Sequence, residues 1–184
     1  MKNDVKKLEK ELSGLPDDYI IILETNADSS FEMSMASIRF LADKNDFGII
    51  VSVNRPYKNL VSMYEKNDID ISKMFVLDCV SKSLNGEMEA DNVVFIENVS
   101  ALTDISLSVN NYLNSAEGKK FVFFDSITTM LIHNKPYVFA RFVHSILTKM
   151  RLNGVGGLLV SLQDKTNREI RAEIAQLCDK VIQI

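Results

Sequence analysis

The chain has 184 residues, of which 46% are hydrophobic and 25% are charged, and its formal net charge is −4. This length predicts one domain around a single core, and the composition is typical of a globular protein. The acidic balance argues against a general nucleic-acid binder, because such proteins contact phosphates through clustered Lys and Arg. No apolar run approaches membrane-spanning length and no signal peptide opens the chain, so we expect a cytoplasmic protein without membrane contacts.

Stretches of helical spacing alternate with apolar runs along the whole chain. Residues 4–13 predict a short amphipathic helix, which covers either its own sheet or a partner. The predicted strands are 19–23, 47–53, 74–77, 93–96, 121–124, 158–162 and 181–184. The predicted helices are 31–42, 57–65, 104–114, 127–132, 137–152 and 169–178, with polar loops at 24–30 and 81–91. This alternation predicts an α/β layered domain with a mostly parallel sheet and right-handed crossovers.

The cysteines and histidines give no indication of a metal site. Cys79 and Cys178 lie in apolar contexts without CxxC spacing, so we predict reduced core thiols rather than a disulfide. The region of Pro136 separates His133 from His144, and no Cys or carboxylate completes a ligand set around them.

Residues 121–126 are the stretch around which the chain is organised. The apolar run Phe121 to Phe124 predicts a strand that is buried on both faces, and Asp125 follows at its carboxyl end. Open α/β sheets bind ligands at that edge, where an Asp in a nucleotide-binding sheet orients a metal ion or a water. The alternative is that Asp125 caps the next helix, with help from Ser126 and Thr128.

Other polar residues also follow predicted strands. Asn54, Arg55 and Gln163 should therefore join Asp125 around one crevice, where Arg55 would attract an anion. The alternative is a polar sheet edge that is satisfied by water. Further along the chain, Lys165, Arg168 and Arg171 are typical of a solvated helix face.

Four blocks together resemble a known family. They are Arg39 to Leu41 after the first strand and helix, Val51 to Pro56, Phe121 to Leu131, and Ala175 to Ile184. In this order and spacing they resemble the RecA-like core of archaeal KaiC-type and RAD55-type ATPases over nearly the whole chain. The resemblance implies a P-loop NTPase-type, three-layer α/β/α domain with a mostly parallel central sheet, spanning residues 1–184 as one unit.

The phosphate loop of that family is degenerate here. A working loop follows GxxxxGK[ST], in which glycines bring backbone N–H groups to phosphate and Lys neutralises its charge. The corresponding stretch, residues 27–34, has no glycine, carries Met33 at the Lys place, and keeps only Ser34. Asp28 and Glu32 would bring negative charge towards the triphosphate, at about 4 kcal/mol for a contact of unit charges at 4 Å and a dielectric near 20.

A second departure concerns the catalytic base. KaiC-type enzymes carry adjacent glutamates after the second strand, but this chain has Asn54 and Arg55, which cannot accept a proton near neutral pH. We therefore expect no catalytic residues and no cofactor, with Asp125 as a residual Walker-B-type residue. If ATP and Mg²⁺ do bind, the resemblance implies contacts from Ser34, Arg55, Asp125 and Ser126, with Asp125 at the metal. In related ring ATPases, residues placed like Lys165, Arg168 and Arg171 reach a neighbouring subunit's nucleotide.

The sequence thus predicts a KaiC-like pseudo-ATPase with a regulatory or scaffolding role. Its expected partner is a protein, either another copy of itself or an active RecA-type ATPase. One alternative is a nucleotide-binding protein or weak ATP hydrolase with a non-standard phosphate site. Another is an accessory factor of DNA recombination or repair, against which the acidic balance counts.

Overall fold

A seven-stranded sheet forms the centre of the computed structural model, which describes residues 2–84, 86, 89–115, 117–163 and 168–184. The strands are β1 (Ile20–Thr25), β2 (Phe47–Ser52), β3 (Met74–Asp78), β4 (Val93–Phe95), β5 (Lys120–Asp125), β6 (Gly156–Leu162) and β7 (Lys180–Gln183). Their order is β4-β3-β2-β5-β6-β1-β7, and every pairing between neighbours is parallel. All carboxyl ends of the strands therefore meet at one edge of the sheet.

Helices cover both faces of this sheet. They are α1 (Lys2–Ser13), α2 (Ala27–Lys44), α3 (Tyr57–Lys66), α4 (Leu102–Ser115), α5 (Ile127–His133), α6 (Pro136–Leu152) and α7 (Arg168–Gln176). Two 3₁₀ turns, Ile71–Lys73 and Lys82–Leu84, complete the described elements. None of the described helices is both long enough and apolar enough to cross a bilayer.

Two hydrophobic cores lie on opposite faces of the sheet. Helices α1, α2 and α3 bury their apolar sides in one core, and α4 to α7 bury theirs in the other. Side chains of β5 alternate between the cores, with Phe121 and Phe123 in the first and Val122 and Phe124 in the second. The predicted three-layer α/β/α arrangement and the strand buried on both faces are confirmed.

The amino-terminal helix covers the protein's own core. Leu8 and Leu12 are 0% and 2% exposed and pack in the core that α2 and α3 share. Lys7 Nζ donates to the Gln183 carbonyl oxygen at 3.1 Å, and Lys180 Nζ lies 3.2 Å from Glu11 Oε2. The apolar side of α1 thus packs against the protein's own core. Of the two alternatives that the sequence left open, its own sheet and a partner, the first is confirmed.

The prediction of a polar loop at residues 24–30 is wrong. Strand β1 continues through Thr25 and α2 begins at Ala27, so only Asn26 lies between them. The polar residues of this stretch serve the helix start: Asn26 Oδ1 accepts from Ser29 N at 3.0 Å, and Thr25 Oγ1 lies 2.8 Å from Ser29 Oγ. Because the first amides of a helix have no intrahelical acceptor, side chains of this kind begin helices as readily as they form loops.

The remaining differences are small. The loop predicted at 81–91 contains the turn Lys82–Leu84, and Asn85, Glu87 and Met88 lie outside the described residues. Both cysteines are free thiols, as predicted. Burial raises the pKa of each thiol, Cys79 and Cys178, to about 12, so neither is a nucleophile near neutral pH.

Replacing Leu8 with Ala tests whether α1 is part of the domain. We expect Leu8→Ala to lower the free energy of unfolding by about 2–5 kcal/mol, because it leaves a cavity in a core that cannot fully collapse. Chemical denaturation followed by circular dichroism measures the loss. Leu152 at the end of α6 is 82% exposed, so Leu152→Ala is the matched control, with an expected change within about 0.5 kcal/mol. Equal effects of the two substitutions would contradict the packing of α1.

Candidate functional site

The ends of β2 and β5 bring the polar residues of the sheet edge together. Ser52 pairs with Asp125 in the register of these neighbouring strands, and Val53 N donates to the Asp125 carbonyl oxygen at 3.1 Å. The chain then turns through Asn54 and Arg55, where Ser52 Oγ donates to the Arg55 carbonyl oxygen at 2.8 Å. This turn holds both residues beside Asp125.

A cavity of about 230 Å³ lies between this edge and α2. It contains all four residues named from the family resemblance: Ser34, Arg55, Asp125 and Ser126. Asn54 lines it as well, so three of the four residues expected in one crevice are together. The remaining lining residues are Ser30, Phe31, Met35, Thr129 and Leu162. Below, we call this space the edge cavity.

Asp125 faces the edge cavity and does not cap the following helix. Ser126 is the N-cap of α5, and its Oγ accepts from Thr129 N at 3.4 Å, while Thr128 Oγ1 accepts from Leu162 N at 2.8 Å. The alternative in which Asp125 is a cap is therefore wrong. The peptide bond between Asp125 and Ser126 is cis.

Burial raises the pKa of the Asp125 carboxyl above its ordinary value. The positive charge of Arg55 and the side-chain amide of Asn54 act in the opposite direction and lower that pKa. Asn54 is held in turn by Thr129, whose Oγ1 donates to Asn54 Oδ1 at 2.7 Å. The carboxylate is thus kept in a site that disfavours its charge, which is a common property of functional carboxylates.

Asp78, at the end of β3 on the other side of β2, has a different environment. Asp78 is fully buried and accepts from the backbone N–H groups of Tyr57, Val80 and Ser81 at 2.6, 2.8 and 2.9 Å. The Ser81 hydroxyl donates to it as well. Both carboxylate oxygens of Asp78 already accept hydrogen bonds from the protein. Asp78 therefore has a structural role, in which it joins β3 to the start of α3.

Arg55 is a half-buried residue that lines the edge cavity. Its Cζ is 5.3 Å from the centroid of the Phe31 ring, in a cation–π arrangement, and Phe31 is 45% exposed. None of the ion pairs among the described residues includes Arg55 or Asp125. The two charges therefore line the same space without neutralising each other in direct contact.

Ser34 reaches the edge cavity from the interior of α2. The residue is only 4% exposed, and its hydroxyl has no hydrogen-bond partner within the described part of the chain. Met33, at the place of the phosphate-loop Lys, is 0% exposed and packs in the core beneath α2. Of the residues aligned with the phosphate loop, Ser34 faces this space and Met33 faces away from it.

Gln163 lies in a second, more open groove of about 590 Å³. Its N–H donates to the Thr25 carbonyl oxygen at 2.9 Å, which directs the chain after β6 towards β1 and away from Asp125. Arg168 and Arg171 line the same groove, where Arg171 lies 3.0 Å from Glu24 Oε1 and Gln183 donates to Glu24 Oε2 at 2.8 Å. Lys165 lies outside the described residues.

Sequence reasoning named Ser34 but missed the other α2 residues that line the edge cavity, which are Ser30, Phe31 and Met35. All four follow the spacing of one face of α2, which begins at Ala27. The capping pattern, with Asn26 accepting from Ser29, was the available signal.

Comparison by sequence finds one family. The profile described as "Family of unknown function (DUF7090)" matches residues 20–184, which include every strand of the sheet. No curated protein matches the chain.

Solved structures show what the fold is similar to. Uncharacterized protein PH0321 from Pyrococcus horikoshii, in complex with an unknown peptide, has a TM-score of 0.72 and 11% identity over 98% of this chain and 82% of its own. KaiC-like protein PH0186 from Pyrococcus horikoshii OT3 has a TM-score of 0.62 and 12% identity over 92% of this chain and 72% of its own. A type III secretion system ATPase from pathogenic bacteria has a TM-score of 0.55 and 12% identity over 91% of this chain and 51% of its own. The predicted RecA-like fold is confirmed.

The substitution Asp125→Asn tests the electrostatics of the edge cavity. Because the folded-state pKa is raised, the stability that Asp125 contributes is fully present below its unfolded value near 3.8 and is lost as the pH rises through the folded value. We therefore expect Asp125→Asn to melt at a higher temperature than the wild type near neutral pH, with the difference disappearing in acid.

Thermal melts across the pH range check this prediction. Asp43 is an exposed residue of α2, and Asp43→Asn removes the same charge as a control without the burial. An Asp125→Asn protein that melts below the wild type near neutral pH would show that the carboxylate is stabilising.

Proposed function

We propose that this chain, which belongs to the DUF7090 family, is a KaiC-like pseudo-ATPase that acts as a non-catalytic regulatory or scaffolding protein through contacts with other proteins. The observation that carries the proposal is the closed junction between β1 and α2, where Asn26 alone separates strand from helix. A phosphate loop needs an open run of backbone N–H groups at this point.

The chemistry of the junction supports the same conclusion. Asn26 Oδ1 accepts from both the N–H and the hydroxyl of Ser29, each at 3.0 Å, so a side chain of the protein binds donors that a phosphate loop would present to phosphate oxygens. Residues 24–34 contain no glycine, which would let backbone N–H groups approach a phosphate closely. Asp28 also adds a negative charge in the first turn of α2. The edge cavity, at about 230 Å³, is also below the roughly 300–1,000 Å³ typical of small-molecule sites of drug size.

A groove between α4 and α6 supports a role in protein contacts. It measures about 340 Å³, and Leu107 and Val138 on its walls are 57% and 49% exposed. Tyr137, next to Val138, is 70% exposed. Contiguous exposed apolar side chains of this size are typical of surfaces that bind other proteins. We call this groove the α4–α6 groove.

The charge of the α4–α6 groove indicates the kind of partner. Arg141 of α6 is the only charged residue among those that line the groove, and it has no ion pair among the described residues. Asp104 is the only charged residue of α4. Two copies that paired through this groove would bring like charges together, so an acidic amphipathic segment of another protein is the better occupant. The similar protein PH0321 was solved with an unknown peptide, which favours peptide recognition.

The second candidate is a nucleotide-binding protein or weak ATP hydrolase. The observation that favours it is that Ser34, Arg55, Asp125 and Ser126 line one cavity, as a non-standard site for ATP and Mg²⁺ would require. Asn54 and Arg55 leave this site without a general base other than Asp125.

Titration with nucleotide separates the two candidates. We expect isothermal calorimetry with ATP or ADP and Mg²⁺ to give no saturable heat, because the junction offers no phosphate cradle. Phosphate release should equal that of Asp125→Ala prepared in parallel, which controls for contaminating ATPases. Saturable heat, or hydrolysis that Asp125→Ala abolishes, would reject the pseudo-ATPase.

A peptide pair tests the α4–α6 groove. The probe is a fluorescent amphipathic helix with Leu on one face and Glu on the other, and its control replaces each Glu with Lys. We expect the acidic peptide to bind at least about tenfold more tightly, and Leu107→Ser and Arg141→Glu to weaken it, in fluorescence anisotropy. Val181→Ser, which changes an exposed apolar residue of β7, is the matched control. Equal binding of both peptides, or no effect of the groove variants, would exclude this surface.

A further inference from the structure

The edge cavity holds charges of both signs. Arg55 and Asp125 line it together, and neither takes part in an ion pair among the described residues. A ligand with a single charge would satisfy one of them and oppose the other. A ligand that carries one group of each sign would satisfy both.

An unpartnered hydroxyl points to a ligand independently of these charges. Ser34 is only 4% exposed, lines the edge cavity, and makes no side-chain hydrogen bond within the described part of the chain. Because its hydroxyl is not engaged by the protein, it is able to bond to a molecule in the cavity. The hydroxyl of Ser126, the N-cap of α5, makes only long contacts of 3.4 Å to Thr129 and remains able to accept or donate a hydrogen bond.

The size of the edge cavity limits the ligand. Its volume of about 230 Å³ equals that of roughly eight water molecules at about 30 Å³ each, and so admits a molecule of about eight non-hydrogen atoms. A nucleotide is several times larger. Phe31, Met35 and Leu162 give the cavity an apolar wall, which suits a short aliphatic portion between two charged groups.

From these observations we infer that the edge cavity binds a small zwitterion of amino-acid size, with its ammonium group at Asp125, its carboxylate at Arg55 and a hydrogen bond to Ser34. The two charged side chains are positioned before the ligand arrives. Phe31 stacks against Arg55 at 5.3 Å, and Thr129 fixes Asn54 beside Asp125. Preformed sites of this kind bind with a small cost in side-chain entropy.

The local chemistry agrees with a cationic group at Asp125. Burial raises the pKa of that carboxyl and Arg55 only partly offsets it, so a bound ammonium group would lower the pKa further by adding a second positive charge beside the carboxylate. Such a ligand would regulate the proposed regulatory protein. The inference that the cavity binds a zwitterion does not depend on that regulatory function.

Nuclear magnetic resonance titration of the full chain tests the inference. The probes are L-alanine, L-serine and L-leucine, and the controls are acetate and methylamine, which each carry one of the two charges. We expect at least one amino acid to shift the amide signals of Phe31, Ser34, Arg55 and Ser126 saturably, and acetate and methylamine to bind at least about tenfold more weakly. Loss of either charged partner, in Arg55→Gln or Asp125→Asn, should weaken the amino acid by at least about tenfold.

A control variant and thermal melts complete the test. Arg39 lies on α2 with Asn67 as its partner, so Arg39→Gln removes the same charge outside the cavity and should leave binding unchanged. Thermal melts establish that each variant is folded. The inference is overturned if no amino acid shifts these signals, if acetate or methylamine alone matches the amino acid, or if both cavity variants bind like the wild type. Saturable binding of ATP would reject the pseudo-ATPase instead, so the two failures are distinguishable.

Discussion

The cap that Asn26 places on α2 is the interaction on which the rest of the edge cavity depends. It begins the helix one residue after β1 and so determines which α2 side chains face the sheet edge. With this start, Ser34 points into the cavity and Met33 into the core. Successive residues of a helix differ by about 100° in direction, so the neighbours Met33 and Ser34 face different surroundings.

The sheet was predictable because its evidence is local. Apolar runs of strand length, separated by helical spacing, specify parallel α/β layers almost regardless of which strands are neighbours. The central place of the strand Phe121 to Phe124 followed from the absence of polar alternation, since only burial on both faces tolerates such a run. The RecA-like fold then followed from the order of four blocks.

The candidate site was predictable only in part, because its geometry depends on contacts that are distant in sequence. Placing Asn54, Arg55 and Asp125 together required only that the ends of parallel strands meet. Gln163 also follows a strand, but its N–H is bound to Thr25, one strand further along the sheet. Apart from Ser34, the α2 wall was missed because Asp28 and Ser29 favour a loop and a helix start about equally. The Asn26 cap and the packing of Met33 beneath α2 distinguish the two.

The bonds at Asp78 determine which wall of the edge cavity is able to move. Because Tyr57 N is bound to Asp78 and the Arg55 carbonyl to Ser52, the turn through Asn54 and Arg55 is anchored at both ends to the sheet. The amide protons of Val53 and Tyr57, which are bound to Asp125 and Asp78, should therefore exchange slowly with solvent. Phe31, by contrast, is nearly half exposed and contacts this turn only through the Arg55 side chain in the cation–π arrangement. A small rotation of the Phe31 side chain would therefore widen the cavity without a change in the sheet.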